Sequence, residues 1–197
     1  MRDAIIIFAK NPVKGKVKTR LAADIGEDQA LSAYRQLMAY TEKIISSLTI
    51  NRYIYFSDQI EAKGIWSDKR YQKKIQCRGH LGKRMSKAME EQLKTHQKVL
   101  LIGTDCPLLT VDIIKQALEC LDRADLVIGP SEDGGYYLIG SKKPHREDVF
   151  KNIDWSTGHV LQQTIANAVK KQLSYSLLPL LYDIDTVEDW NRIGRKV

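Results

Sequence analysis

Cysteine is scarce in this chain of 197 residues, and so is proline: three of one and five of the other. Cys77, Cys106 and Cys120 are odd in number and form no Cys-x-x-Cys pair, which leaves no disulfide framework or zinc ribbon to read. No Pro/Gly/Ser-rich stretch marks a linker, and the length suits one ordinary domain, so a single domain over 1–197 is expected. Long apolar runs are missing too. The opening one, Ala4–Ala9, is six residues, too short for a membrane span or a signal-peptide core. The expected compartment is therefore the cytoplasm, with no membrane partner. His80, His96, His145 and His159 show no metal-ligand spacing, and no Ser/His/Asp or Cys/His arrangement emerges. A Walker A loop fails at Gly15-Lys16, because Val17 follows and no glycine lies five residues before Gly15. The Rossmann GxGxxG is absent after the first apolar run.

What is present is charge with a positive balance. Against 24 acids stand 31 basic residues, a net +7 that favours acidic ligands such as nucleotides and phosphorylated metabolites. Apolar residues at 43% and charged residues at 28% describe a globular protein rather than a disordered or fibrous one.

Strand and helix signals alternate along the chain. Strands are expected at Ala4–Ala9, Tyr53–Phe56, Val99–Ile102, Leu126–Ile128, Tyr136–Ile139 and Tyr175–Tyr182. Helices are expected over Glu27–Leu48, around Leu81–Leu93, from a Thr110 cap to Leu121, and from a Ser156 or Thr157 cap to Lys171. A short last helix should follow Thr186, with Asp189 completing a capping box. This order predicts an α/β domain with a mainly parallel sheet, whose ligands bind beyond the carboxyl ends of the strands. The polar clusters obey that rule: Lys10 onward, Ser57-Asp58, Thr104-Asp105 and Asp183/Asp185 all come just after strands.

The first cluster is the densest. Lys10, Lys14, Lys16, Lys18 and Arg20 fall within eleven positions that hold no acid. Pro12 and Gly15 argue for a loop, and in an extended loop Lys18 and Arg20 point to one side. Backbone N–H groups around Gly15, point-charge lysines and a forked guanidinium suit a phosphate. Asp105, directly after a buried strand, can hold Mg²⁺ or Mn²⁺; the competing reading makes it a turn residue. Asp183 and Asp185, two apart, can complete that site, unless Asp185 only caps the last helix. Asp133 precedes Gly134-Gly135, a pair that allows either a hairpin turn or close approach to a ligand. From Lys69 to Lys87 there are eight Lys/Arg and no acid, yet the only aromatic is Tyr71. Without a stacking platform, that span argues against nucleic acid and for a solvated face. Cys106 reads as packing.

Taken in order, these motifs resemble one family: Lys10-x-Pro12-x-x-Gly15-x-x-Lys18-Thr19-Arg20-Leu21, Gly103-Thr104-Asp105-Cys106-Pro107, Asp133-Gly134-Gly135-Tyr136-Tyr137, Trp155-Ser156-Thr157 and Asp183-Ile184-Asp185-Thr186. It is the rSAM/selenodomain-associated transferase family, glycosyltransferase-like members of the GT-A nucleotide-diphospho-sugar transferase superfamily. That family is similar to the phospholactate and molybdenum cofactor guanylyltransferases. The resemblance implies a Rossmann-like three-layer α/β/α domain. It implies phosphate contacts from Lys10, Lys18 and Arg20, and a metal held by Asp105 with Asp185 and Asp183. Asp133, Gly134 and Gly135 would line the acceptor or sugar pocket. One segment departs: where the family carries Asp-Leu-Gly-Glu, this chain has His80-Leu81-Gly82-Lys83.

The expected activity is Mg²⁺-dependent transfer from a nucleoside triphosphate or nucleotide-sugar to a small-molecule acceptor. The basic loop tilts the reading toward nucleotidyl transfer, with glycosyl transfer as the alternative. A non-catalytic nucleotide- or nucleic-acid-binding protein is the alternative of another class.

Overall fold

The computed structural model describes residues 3–61 and 64–193. Seven strands form one sheet: β1 (Asp3–Ala9), β2 (Asn51–Phe56), β3 (Gln72–Ile75), β4 (Lys98–Ile102), β5 (Leu126–Pro130), β6 (Tyr136–Lys142) and β7 (Tyr175–Leu177). Their spatial order is β3-β2-β1-β4-β6-β5-β7. Only β6 runs against its neighbours, β4 and β5; every other pairing is parallel. The carboxyl ends of six strands therefore open on one edge, with the start of β6 among them.

Helices cover both faces, as the mainly parallel sheet requires. On one face α2 (Glu27–Ser46) and α4 (Val111–Arg123) bury Met38, Ile45, Ile114 and Leu121 against Ile5, Ile7, Ile54, Leu100 and Val127. The other face receives Ala4, Ile6, Val99, Leu101 and Ile128, the alternate residues of the same strands. There α3 (Leu81–Leu93), α5 (Val160–Lys170) and a 3-10 turn at Glu147–Phe150 supply Met85, Met89, Ala168, Val149 and Phe150. A third small cluster packs α1 (Thr19–Ile25) and α6 (Val187–Ile193) on α2 through Leu21, Ala30, Leu37, Ile184 and Ile193. No helix of the described residues is long and apolar enough to cross a membrane.

Four local expectations change. The strand expected over Tyr175–Tyr182 stops at Leu177, since Pro179 has no N–H for the ladder; only an isolated bridge, Ser131 to Leu181, follows. The fifth helix begins at Val160 rather than beside Ser156 or Thr157. Ser156 sits at φ +66°, and the Thr157 hydroxyl donates to the Asp154 carbonyl instead. Inside the basic segment, Gln72–Ile75 forms the edge strand β3, where charged side chains discourage further pairing. Lys18 and Arg20 do not share an extended loop: Lys18 is left-handed at φ 49° and opens α1, which carries Arg20.

The sheet is tight at Gly140 in β6. A methyl group there would lie 2.5 Å from Leu100 Cδ2 and 2.7 Å from Val127 Cγ1. Gly140→Ala is expected to cost about 1–3 kcal/mol by overpacking, read as a lower urea midpoint with an unchanged slope.

Candidate active site

The site lies where β1, β4 and the segment after β7 end together. Its centre is Lys18, whose side chain is only 6% exposed. Its ammonium pairs with Asp105 Oδ1 at 2.6 Å and donates to the Ile184 carbonyl at 2.5 Å. The Ile184 N–H in turn donates to the Asp105 carbonyl at 2.9 Å. Three segments far apart in sequence thus close on one buried cation. Beside it, Arg20 pairs with Asp185 Oδ2 at 2.6 Å, with both side chains largely exposed.

Asp183 stands between these pairs in sequence and carries the least comfortable charge. Burial, then the negative charges of Asp105 and Asp133, push its carboxyl up to about 7; Lys18 and the Ser131 hydroxyl work against that shift. Asp183 thus feels the charges of Asp105 and Asp133 on one side of the balance and that of Lys18, paired with Asp105, on the other. Asp185, expected beside Asp105, is turned to Arg20 instead. It is not the helix cap either, because Asp189 takes that part, accepting from the Asp185 and Thr186 N–H groups. The Asp189 N–H donates back to the Thr186 hydroxyl, which closes the expected capping box.

The remaining candidates divide. Lys10 is exposed and held by its backbone: its N–H donates to the Tyr34 phenol at 2.9 Å, and that phenol donates to its carbonyl at 3.1 Å. Gly15, at φ +74°, makes the turn that brings Lys14 to Asp28 at 2.7 Å. Gly134 and Gly135 close the hairpin between β5 and β6, and Asp133 Oδ1 accepts from the Gly135 N–H at 2.8 Å. Gly134 also has a steric reason: at φ +83°, a Cβ would fall 2.1 Å from the Gly158 carbonyl oxygen. Both the turn and the ligand reading of that pair remain compatible with this geometry. Cys106 is buried and its thiol is pushed up to about 12, first by burial and then by the Asp183 charge, so it packs rather than attacks.

Three supporting residues carried no sequence signal. Tyr34, from the buried face of α2, accepts from Thr104 at 3.4 Å as well and so ties the end of β1 to that of β4. Asn11 clamps the loops after β1 and β2 through both its amide groups and Gln59. Arg192 of α6 grips Glu132 with two bonds, 2.8 and 3.0 Å, and lies 3.8 Å over the Tyr182 ring.

Among the described residues no three His, Cys, Asp or Glu side chains are arranged as a finished metal cage. The donor set nonetheless fits Mg²⁺, which takes one or two carboxylates and completes its shell with water and substrate phosphates. The crowded charge that raises Asp183 is what such an ion would relieve.

The fold and site can now be set beside known proteins. Residues 41–157 match the model of the family described as "Uncharacterized protein conserved in bacteria (DUF2064)". A solved protein of Desulfovibrio desulfuricans G20, assigned as a nucleotide-diphospho-sugar transferase, is 33% identical with a TM-score of 0.91, over 98% of this chain and 87% of its own. The chain belongs to the DUF2064 family. Two more distant structures share the fold alone with this DUF2064 member. The 4-diphosphocytidyl-2C-methyl-D-erythritol synthase of Anaerococcus prevotii DSM 20548 is 11% identical, TM-score 0.66, over 98% of this chain and 94% of its own. Rv0371c of Mycobacterium tuberculosis H37Rv, solved with manganese, is 12% identical, TM-score 0.56, over 99% and 98%. No curated protein matches the sequence.

The raised Asp183 carboxyl makes the metal-free protein sensitive to pH. Its proton is held in the folded state up to about 7 but leaves the unfolded chain near 3.8. The stability that Asp183 contributes is thus greatest below that lower value and is lost as pH rises through the upper one. Asp183→Asn removes this cost. Melting in EDTA should show the variant several degrees above the parent at pH 8, with the gain shrinking toward pH 4. A gain equal at both pH values would contradict this.

Proposed function

We propose that this chain is a divalent-metal-assisted transferase acting on a nucleotide donor, with nucleotidyl transfer as the reaction. The observation that carries the reading is the buried Lys18 ammonium beside Asp105 and Asp183 at the carboxyl edge of the sheet, with Arg20 next to it. Cations and carboxylates held within one small region suit a polyphosphate with its metal. Neither set alone would need the other so close. The transferase name of the 33% identical relative and the cytidylyl chemistry named for the Anaerococcus protein support the same class.

Asp105 and Asp183 would hold Mg²⁺ or Mn²⁺, and Asp133 would add its negative charge to theirs. When bound, the ion neutralises negative charge on the donor's phosphates. Lys18 is pre-placed and desolvated, so its charge needs no rearrangement as the reaction proceeds. Arg20 is the adjustable group: its exposed pairing with Asp185 is weak, and a diphosphate can take the guanidinium in a two-bond grip. An acceptor oxygen attacks the α-phosphorus, the bond to the β-phosphate bridging oxygen breaks, and pyrophosphate carries away the electron pair. Lys18 and Arg20 would stabilise the charge that grows on it. Lys10, exposed at the end of β1, would add a third cation, and the Asp133-Gly134-Gly135 turn would border the acceptor.

Glycosyl transfer from a nucleotide-sugar is the second reading, favoured by the name of the Desulfovibrio relative. A shared diphosphate leaving group explains why one cation set would serve both. The likeness of the motifs to guanylyltransferases points to the base only as far as guanosine and cytidine nucleotides belonging first in any screen.

A pyrophosphate-release assay over the four common nucleoside triphosphates, with Mg²⁺ and candidate acceptors, tests the choice. Acceptor-dependent release supports nucleotidyl transfer; inert triphosphates with binding of a nucleotide-sugar support the second reading. Arg20→Ala should lower the rate roughly 10²–10³-fold. Asp105→Asn should abolish metal-dependent stabilisation by nucleotide, as read by thermal shift. Metal-independent binding unchanged by Asp105→Asn would point to a protein that merely binds nucleotides.

A further inference from the structure

A cavity of about 410 Å³ lies between α3 and the 3-10 turn Glu147–Phe150 with the loop that follows it. None of Lys18, Arg20, Asp105, Asp133 or Asp183 lines it. Its walls hold Lys83, Lys87 and Lys151, with His80, Phe150 and Asn152. Two of these cations are already spent. Lys87 pairs with Glu90 at 2.8 Å, and Lys151 pairs with Glu147 at 2.8 Å and Asp148 at 2.9 Å. No carboxylate among the described residues pairs with Lys83. Its backbone N–H donates to His80 Nδ1 at 3.3 Å, so His80 caps α3 and orients its ring there.

The apolar part of the wall is built as deliberately. Gly82 leaves room for the Trp155 indole, since a Cβ would fall 2.3 Å from its Cζ2. Phe150 stacks with the His145 ring at 6.5 Å between centroids and 20° between planes. His145 is fixed by Ser86, a lining residue, through a 3.0 Å bond to Nε2, while its Nδ1 is buried with no partner.

The cavity is also joined to the active site by one short stretch of chain. Trp155, over Gly82, and Gly158, pressed on Gly134, stand three residues apart. Gly134 belongs to the turn that carries Asp133.

We infer that this cavity is a second ligand site, taking a small molecule that sets one anionic group, a phosphate or carboxylate, on Lys83 and an apolar or ring-shaped body against Phe150. The interleaved Glu90 and Glu147 exclude a polyanion such as nucleic acid, because a long phosphate chain would meet them as well as the lysines. The site stands on its own geometry, apart from the transferase reading above.

Phenyl phosphate joins an anion to a ring and serves as the probe, with benzyl alcohol as its uncharged counterpart, in calorimetric titrations of the full chain. Phenyl phosphate should bind and benzyl alcohol should bind at least about tenfold more weakly, the factor that 1.4 kcal/mol represents. Lys83→Gln and Lys83→Glu, changes at an exposed side chain, should weaken the probe by a similar factor or more. Arg20→Ala should leave its affinity unchanged. No residue of the nucleotide site lines the cavity, so binding should persist with a saturating magnesium–nucleotide that itself raises the melting temperature. Full affinity in both Lys83 variants, loss in Arg20→Ala, or displacement by that nucleotide would overturn the proposal. Failure of every nucleotide to raise the melting temperature, with the Lys83-dependent binding intact, would overturn the transferase reading and leave the site standing.

Discussion

A lysine ammonium taken out of water must find an opposite charge or give up its proton, and much of this molecule's working edge is arranged around that demand. Lys18 meets it with the Asp105 carboxylate and the Ile184 carbonyl. The first of these follows β4, the second lies beyond β7, and the lysine itself follows β1. Joining them fixes the relative positions of three loops that neighbouring strands alone would leave loose. The cost is visible nearby. One buried cation does not balance Asp105, Asp133 and Asp183, and the excess falls on Asp183, whose carboxyl is the one driven upward. Surplus negative charge beside a committed lysine is what the proposed divalent cation would offset.

The backbone makes its own concession to the same point. Lys18 occupies the left-handed region, where a non-glycine side chain is strained by about 1–3 kcal/mol. The strain lets α1 begin at Thr19 immediately after the lysine, so the ammonium turns inward while Arg20, two residues on, stays at the surface. A buried fixed charge and an exposed adjustable one thus arise from positions two apart. Tyr34 and Asn11 then hold the outer part of the loop by hydrogen bonds to backbone groups. The rigid scaffold carries a short polar rim, as expected where function resides in loops.

Much of this was legible from residues alone, for reasons that can be named. Ala4–Ala9 and Val99–Ile102 are short, continuous and apolar because they are covered on both sides, and so they announce a parallel sheet. Thr110 and the Thr186–Asp189 pair announced their helices because a side chain bonding its own backbone is a local event. Edge strand β3 escaped notice because an edge needs no apolar alternation, and Gln72–Ile75 has none. In the site, nearness to strand ends identified Lys18, Arg20 and Asp105 as a group. It did not reveal that Asp185 would face Arg20 while Asp133 joined Asp183, since that choice depends on how the hairpin before β6 packs on the segment after β7. Tyr34, Asn11 and Arg192 form hydrogen bonds to partners at least 24 residues away, a distance over which spacing carries no information.

That packing also explains why the last helix belongs to the site although none of its residues touches the acidic group. The Asp189 cap holds Asp185 and Thr186 by their N–H groups, so the Asp185 side chain is left available to Arg20. One turn further on, Arg192 reaches the other way, to Glu132 beside Asp133. Helix α6 therefore sets the spacing between the cationic and the acidic sides of the rim. Both of its contacts are surface ion pairs, worth little individually to stability. Their value lies in position: a rim held by weak, exposed pairs can open for a charged ligand and re-form, whereas the buried Lys18–Asp105 pair beneath it cannot shift without exposing an unpaired charge.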